Sequence, residues 1–169
     1  MEKLPCGRAF FLWKTNGTFF YGLLVMAFTV YGASASMAPK AIPPIDAQGI
    51  DALLQERQHP TIVAAMAAWC KPCIAELPIL EKLHHKYQGR GLKIVIISLD
   101  FNTPKDIIPI LKDYKITIPA YWGGEPAIQK LKIRAIPLLI FIRKGMVVKK
   151  LVGAQSHKTI ERYIQNILK

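Results

Sequence analysis

The sequence predicts an α/β fold in which a central mixed β-sheet is flanked by helices on both faces. Three observations predict it. "LKIVIISLD", from Leu92 to Asp100, is a continuous β-branched run of the kind buried on both faces of a parallel sheet. Strand-like and helix-like patterns alternate along the chain around it. "PLLIFIRKGMVVKKLVG" then reads as two strands joined by Arg143-Lys144-Gly145, a hairpin signal.

Each element follows from its local pattern. Ile50, Leu53 and Leu54 recur at helical spacing up to about Gln58. "PTIVAAMAAW" is apolar, but its alanines suit a helix as well as a strand, so propensity leaves both open. From Cys70 to Tyr87 the pattern is helical, with Ile74, Leu77, Leu80 and Leu83 on one stripe. Pro78 lies inside it and is expected to kink it. Thr103-Pro104-Lys105-Asp106 reads as a helix start, with Thr103 as N-cap, Pro104 at N1 and an acid at N3. That helix is expected to reach about Tyr114, with Pro109 an awkward interior residue. Glu125 to Leu131 is a further short helix. Ser156 caps a last amphipathic helix whose apolar face is Ile160, Tyr163, Ile164, Ile167 and Leu168. The expected order is strand, helix, strand, helix, short helix, strand, strand, helix.

The 169 residues suit one domain able to bury a core without disulfide staples, and three cysteines are too few for a disulfide framework. Residues 1–35 read as a signal peptide or an N-terminal membrane anchor. Lys3, Arg8 and Lys14 precede an apolar run from Phe19, and Ala33-Ser34-Ala35 gives a small-x-small cleavage pattern. The more hydrophobic part, Phe19 to Val30, falls short of the roughly 20 residues that span a bilayer comfortably, which favours cleavage after Ala35. Either way, the rest of the chain is expected to be exported. Cys6 has no small-residue lipobox before it. Residues 36–46, rich in Pro and Ala, are a linker, and 47–169 are the folded domain. The net charge is +12, or +10 once residues 1–35 with three basic residues and one acid are removed. This balance favours acidic partners or anionic surfaces. Nucleic acid is not expected, because the lysines are scattered without an aromatic-interleaved stripe.

Cys70 and Cys73 admit three readings. Zinc normally needs four ligands, and the adjacent His84 and His85 point about 100° apart on a helix, so both can hardly join the cysteines. A structural disulfide across so small a loop would restrict the unfolded chain little. Redox chemistry fits the local physics. A Cys70 at a helix start has its thiolate stabilised by free N–H groups and the helix dipole. Lys71 adds positive charge, and Pro72, lacking an N–H, suits the first turn. Cys73, one turn deeper, is placed to attack a mixed disulfide on Cys70.

"WCKPC", with a proline five residues past the second cysteine, resembles the thioredoxin superfamily. "WCKPCIAELP" is similar to its TlpA/ResA/DsbE-like branch, and the resemblance extends over most of residues 45–169. "LKIRAIPLLIFIRKGMVVKKLVGAQ" is similar to the segment that carries the superfamily's cis-proline. The resemblance implies a thioredoxin fold and an exported, periplasmic thiol–disulfide oxidoreductase, anchored to the inner membrane where the N-terminal segment is retained. Cys70 becomes the attacking thiolate and Cys73 the resolving thiol. Pro137 becomes the cis-proline facing the disulfide, leaving the Ile136 backbone free to pair with an extended substrate. Trp69 shields the site and packs on substrate. Glu76, three residues after Cys73 and on its helix face, tunes the thiols and carries protons. Read without the resemblance, Pro137 is a proline that opens a strand, and Glu76 is a solvated helix carboxylate.

The same resemblance implies protein thiol or disulfide substrates and a membrane-embedded thiol-reducing electron donor. Apocytochrome c thiols are a candidate substrate, placing the chain in cytochrome c maturation. No cofactor and no metal is implied. The chain also departs from relatives. Ala64 stands where thioredoxins carry a buried Asp, and Ala65 and Met66 replace aromatics, which suggests a looser floor under the site. Asp100 reads as a loop residue. Tyr121, Trp122, Gly123 and Gly124 fall between helices, where they either line a substrate groove or pack the surface. Competing functions are an oxidant that donates its disulfide, a metal-binding copper-chaperone-like module on the same fold, and a non-enzymatic binding module.

Overall fold

A computed structural model describes residues 42–169. The segment read as signal peptide or anchor, and linker positions 36–41, lie outside the described residues. Among the described residues no helix is long and apolar enough to cross a membrane.

The chain forms α1 (Ala47–Leu54), β1 (Thr61–Met66), α2 (Lys71–Tyr87), β2 (Lys93–Ser98), α3 (Ile107–Asp113), β3 (Ala120–Trp122), α4 (Gly124–Leu131), β4 (Leu138–Arg143), β5 (Met146–Val152) and α5 (His157–Ile167). The sheet order is β3-β2-β1-β4-β5. β1 pairs in parallel with β2, β2 in parallel with β3, and β4 runs antiparallel to both β1 and β5. The predicted mixed sheet is therefore present, and the run 61–66 is its central strand.

All six residues of β1 are buried, which requires cover on both faces. One layer contains α2 and α5, tied where Tyr87 Oη and Lys86 Nζ donate to Glu161 Oε1 at 2.8 and 2.7 Å. The segment after α3 joins this layer, since Glu81 of α2 accepts from the Thr117 N–H at 3.0 Å. The other layer joins α1 and α4, with Lys130 on Asp51 at 2.7 Å. Ala64, with Leu139 and Ile96 as its strand neighbours, is fully buried between the layers. Tertiary cover thus resolves the helix–strand ambiguity of this run.

Four element expectations need correction. α1 stops at Leu54, with Gln55 as C-cap, short of Gln58. Thr103 does not cap α3. It closes a turn by accepting from the Lys105 N–H, and the helix opens at Ile107 after Asp106. Pro109 is consequently in the first turn, where its missing N–H would have had no helical partner. Ala120–Trp122 is a strand that a three-residue pattern cannot announce, and it extends the sheet beyond β2. The hairpin turn is narrower than read: Lys144 (φ 52°) and Gly145 (φ 75°) form a two-residue loop with the positive φ pair of a type I′ turn. α2 continues through Pro78, and Ser156 caps α5 as expected, its Oγ accepting from the Thr159 N–H at 3.2 Å.

Candidate active site

β1 ends at Met66 and the chain turns sharply into α2, which brings Cys70 to the helix N-cap. The Cys70 backbone is extended there (φ −91°, ψ 91°), and its Sγ accepts from the Cys73 N–H at 3.3 Å. Lys71 and Pro72 occupy the first helical positions, where an N–H is dispensable. Cys70 and Cys73 are disulfide-bonded, with Cα atoms 5.2 Å apart. Their exposure differs in the direction their sequence order suggests: Cys70 retains 5% and Cys73 none.

The turn before Cys70 is held by Asp100, a loop residue just past β2. Asp100 is 1% exposed. Its Oδ1 accepts from the Ala68 N–H at 2.9 Å and its Oδ2 from Ser98 Oγ at 2.6 Å. Its backbone oxygen accepts from the Trp122 indole at 2.7 Å. A carboxylate at the C-terminal end of a strand, where α/β sites gather, was the available signal. Trp122 supports the site from behind, and neither it nor Tyr121 lines the depression beside Trp69.

Trp69 is 60% exposed and lies parallel to the equally exposed Phe101, centroids 6.3 Å apart. Together with Leu99, Ile128, Ile133 and Ile136 they edge a shallow apolar depression of about 160 Å³. The Ile136–Pro137 peptide bond is cis. Ala65 pairs with Leu138, so Pro137 sits at the end of the sheet where β1 leaves for Cys70. The fold therefore gathers Trp69, Cys70, Ile136 and Pro137 from segments far apart in sequence.

Glu76 is not a solvated carboxylate, for it is 2% exposed. Its Oε1 accepts from the Gln155 N–H at 2.9 Å, and Oε2 has no partner among the described residues. Burial pushes the carboxyl above its ordinary pKa, and the Gln155 hydrogen bond partly offsets this. The β5–α5 loop reaches both sides of the site: two residues before Gln155, Gly153 donates to the Pro137 oxygen at 2.8 Å. Seventy-nine positions separate Glu76 from Gln155, so nothing local in sequence pointed to the pair. Among the described residues no group of three metal-ligating side chains is assembled. His84 and His85 pack as a tilted pair with ring centroids 5.7 Å apart.

This fold, with a Cys-x-x-Cys pair at the N-cap of the helix after the central strand and a cis-proline alongside, defines a thioredoxin-fold protein. More particularly, the chain belongs to the AhpC/TSA family, whose signature matches residues 38–151. It is 33% identical over 101 residues to the thiol-disulfide oxidoreductase ResA of Bacillus cereus, covering 59% of this chain and 58% of that one. Over 113 residues it is 30% identical to thioredoxin C-2 of Corynebacterium nephridii, covering 66% of this chain and 83% of that one. The chain thus spans only a little over half of the ResA relative. Among solved structures, a thiol:disulfide interchange protein of Chlorobium tepidum superposes with a TM-score of 0.61 at 23% identity, over 76% of this chain and 97% of that one. StoA of Bacillus subtilis superposes with a TM-score of 0.58 at 20% identity, over 64% and 84%. At these identities the structural likeness speaks for the fold.

Proposed function

We propose that this chain is an exported thiol–disulfide oxidoreductase that reduces protein disulfides through Cys70 and Cys73. The observation that carries the reading is the placement of Cys70 at the α2 N-cap, with the fully buried Cys73 one turn deeper. In the reducing direction the Cys70 thiolate attacks one sulfur of a substrate disulfide and releases the other as a thiolate. The Cys73 thiolate then attacks Cys70 Sγ, freeing the second substrate thiol and leaving the Cys70–Cys73 disulfide. Two electrons pass to the substrate. An outside dithiol must return them, and a membrane-embedded thiol reductant suits the ResA-like kinship. Trp69 and the Ile136–Pro137 segment receive the substrate chain, and Glu76 takes up or gives the Cys73 proton. Cytochrome c maturation, with apocytochrome thiols as substrate, is the process this assignment fits.

Export rests on the basic and apolar pattern of residues 1–35 and its small-x-small end. Insulin reduction by dithiothreitol tests the activity. Cys70→Ser abolishes the acceleration, and Cys73→Ala accumulates a mixed disulfide with substrate whose mass identifies the partner. Retained acceleration in Cys70→Ser sinks the reading. Titration of the couple against glutathione decides direction: a potential near that of a strong oxidant assigns the chain to disulfide donation instead.

A further inference from the structure

The end of the sheet opposite the disulfide carries a surface that the redox chemistry leaves unused. β1 runs toward Cys70 and β4 runs against it, so the β4–β5 turn lies at the far end, where Thr61 faces Ile142. There Met146, Val147 and Val148 are 63%, 42% and 49% exposed. Gly145 donates to the Glu56 oxygen at 2.8 Å, which pins the turn to the loop between α1 and β1. The Arg57 side chain lies against Gly145, so close that a Cβ there would meet its Cγ at 2.9 Å.

Positive charge gathers around these apolar side chains. Arg57, Arg143 and Lys144 line a cleft of about 170 Å³ beside the turn. Lys149 and Arg162 both sit over the Tyr163 ring, 5.6 and 5.2 Å from its centroid, and Lys150 follows on the same strand. Among the described residues none of these six cations makes an ion pair. Glu56, the acid of the adjoining loop, is engaged by Lys93 at 2.8 Å. Like charges gathered without counter-charges create a potential that an anionic surface relieves.

We propose that this hairpin end is a docking surface for an anionic lipid bilayer, with Met146, Val147 and Val148 entering the interface and the six cations meeting headgroup phosphates. Three apolar side chains at a turn are too few for a protein–protein core, which takes about 800 Å² from each partner. Lysines on an edge strand also discourage strand addition by another chain. A small apolar wedge ringed by Lys and Arg is instead the pattern that lies in a bilayer interface. Docked this way, the protein holds Cys70 and Pro137 about 17 Å away, the length of β1, on the side turned from the lipid.

The test uses the full chain on vesicles of phosphatidylcholine alone or doped with phosphatidylglycerol, reading hydrogen exchange in the Arg143–Lys150 segment. However the chain is otherwise held, this readout is local. The expected result is exchange slowed about threefold or more on anionic vesicles only, with the effect fading as salt rises. The slowing is lost in the double variant Lys144→Glu, Lys149→Glu and in Met146→Asp, and kept in the distant control Lys105→Glu, Lys112→Glu. Insulin reduction by each variant reports that the fold is intact. Equal exchange on both vesicles overturns the proposal, as does slowing that survives the Lys144 and Lys149 reversal. Slowing by soluble poly-glutamate but not by vesicles also overturns it, in favour of an acidic protein partner.

Discussion

At the scale of single residues, two buried carboxylates around the Cys70 helix start do different work. Asp100 satisfies the Ala68 N–H and the Ser98 hydroxyl, both of which would otherwise be stranded. Asp100→Ala is therefore expected to cost about 3 kcal/mol, read as a lowered urea midpoint. A change below about 0.5 kcal/mol would deny it this role. Glu76 has only one hydrogen bond for its two oxygens, and burial raises its pKa. A raised native pKa means the folded protein holds its proton more tightly than the unfolded chain does. Stability is then fully present below the ordinary carboxyl value of 4.5 and falls as pH climbs from there through the raised native value. Glu76→Gln, which keeps an acceptor for Gln155, should remove that decline. Denaturation midpoints of both proteins across pH should coincide near pH 4 and diverge above it, with the Gln variant the more stable. Parallel curves would contradict a Glu76 whose pKa is raised by burial.

Elements repeat the same lesson at larger size: local chemistry was readable where it acted locally. Ser156 caps α5 as its position before an amphipathic pattern predicts. Ser156→Ala should cost about 1 kcal/mol of stability, with thermal unfolding as the measurement and no change in insulin reduction. The β4–β5 hairpin was equally legible, because Lys144-Gly145 supplies the positive φ pair its turn needs. α3 misled, since Thr103-Pro104 carries cap chemistry that the chain uses for a turn three residues early. β3 was invisible because three residues hold no period, and pairing with β2 makes Ala120–Trp122 a strand. Gly123 marks that junction: a Cβ there would approach Ile97 Cγ2 at 2.8 Å. Gly123→Ala should therefore destabilise by about 1–3 kcal/mol, again read from the urea midpoint.

Across the whole molecule, stability follows the sheet order. β1 and β4 are covered on both faces, whereas most of β5 is exposed on the sheet edge. Native-state hydrogen exchange should find the slowest amides in β1, β2 and β4 and the fastest strand amides in β5. Protection in β5 equal to that in β1 would contradict this sheet order. The order also separates the two ends of the molecule, placing the disulfide at one and the basic hairpin at the other.

By itself the sequence determined the mixed α/β class, the hairpin, the α5 cap and the close spacing of Cys70 and Cys73 at a helix start, whereas the place of Pro137 beside them came only with the family resemblance. The former depend on period, turn chemistry and short spacing, which act between near neighbours. Only the tertiary structure decided that Asp100 clamps the Cys70 turn and that Glu76 is buried against Gln155. It also decided that Arg57, from the loop before β1, lines one cleft with Arg143 and Lys144 of the hairpin. Each of these rests on contacts between residues tens of positions apart, or on cover supplied by other elements, and a local pattern carries no record of what will be packed against it.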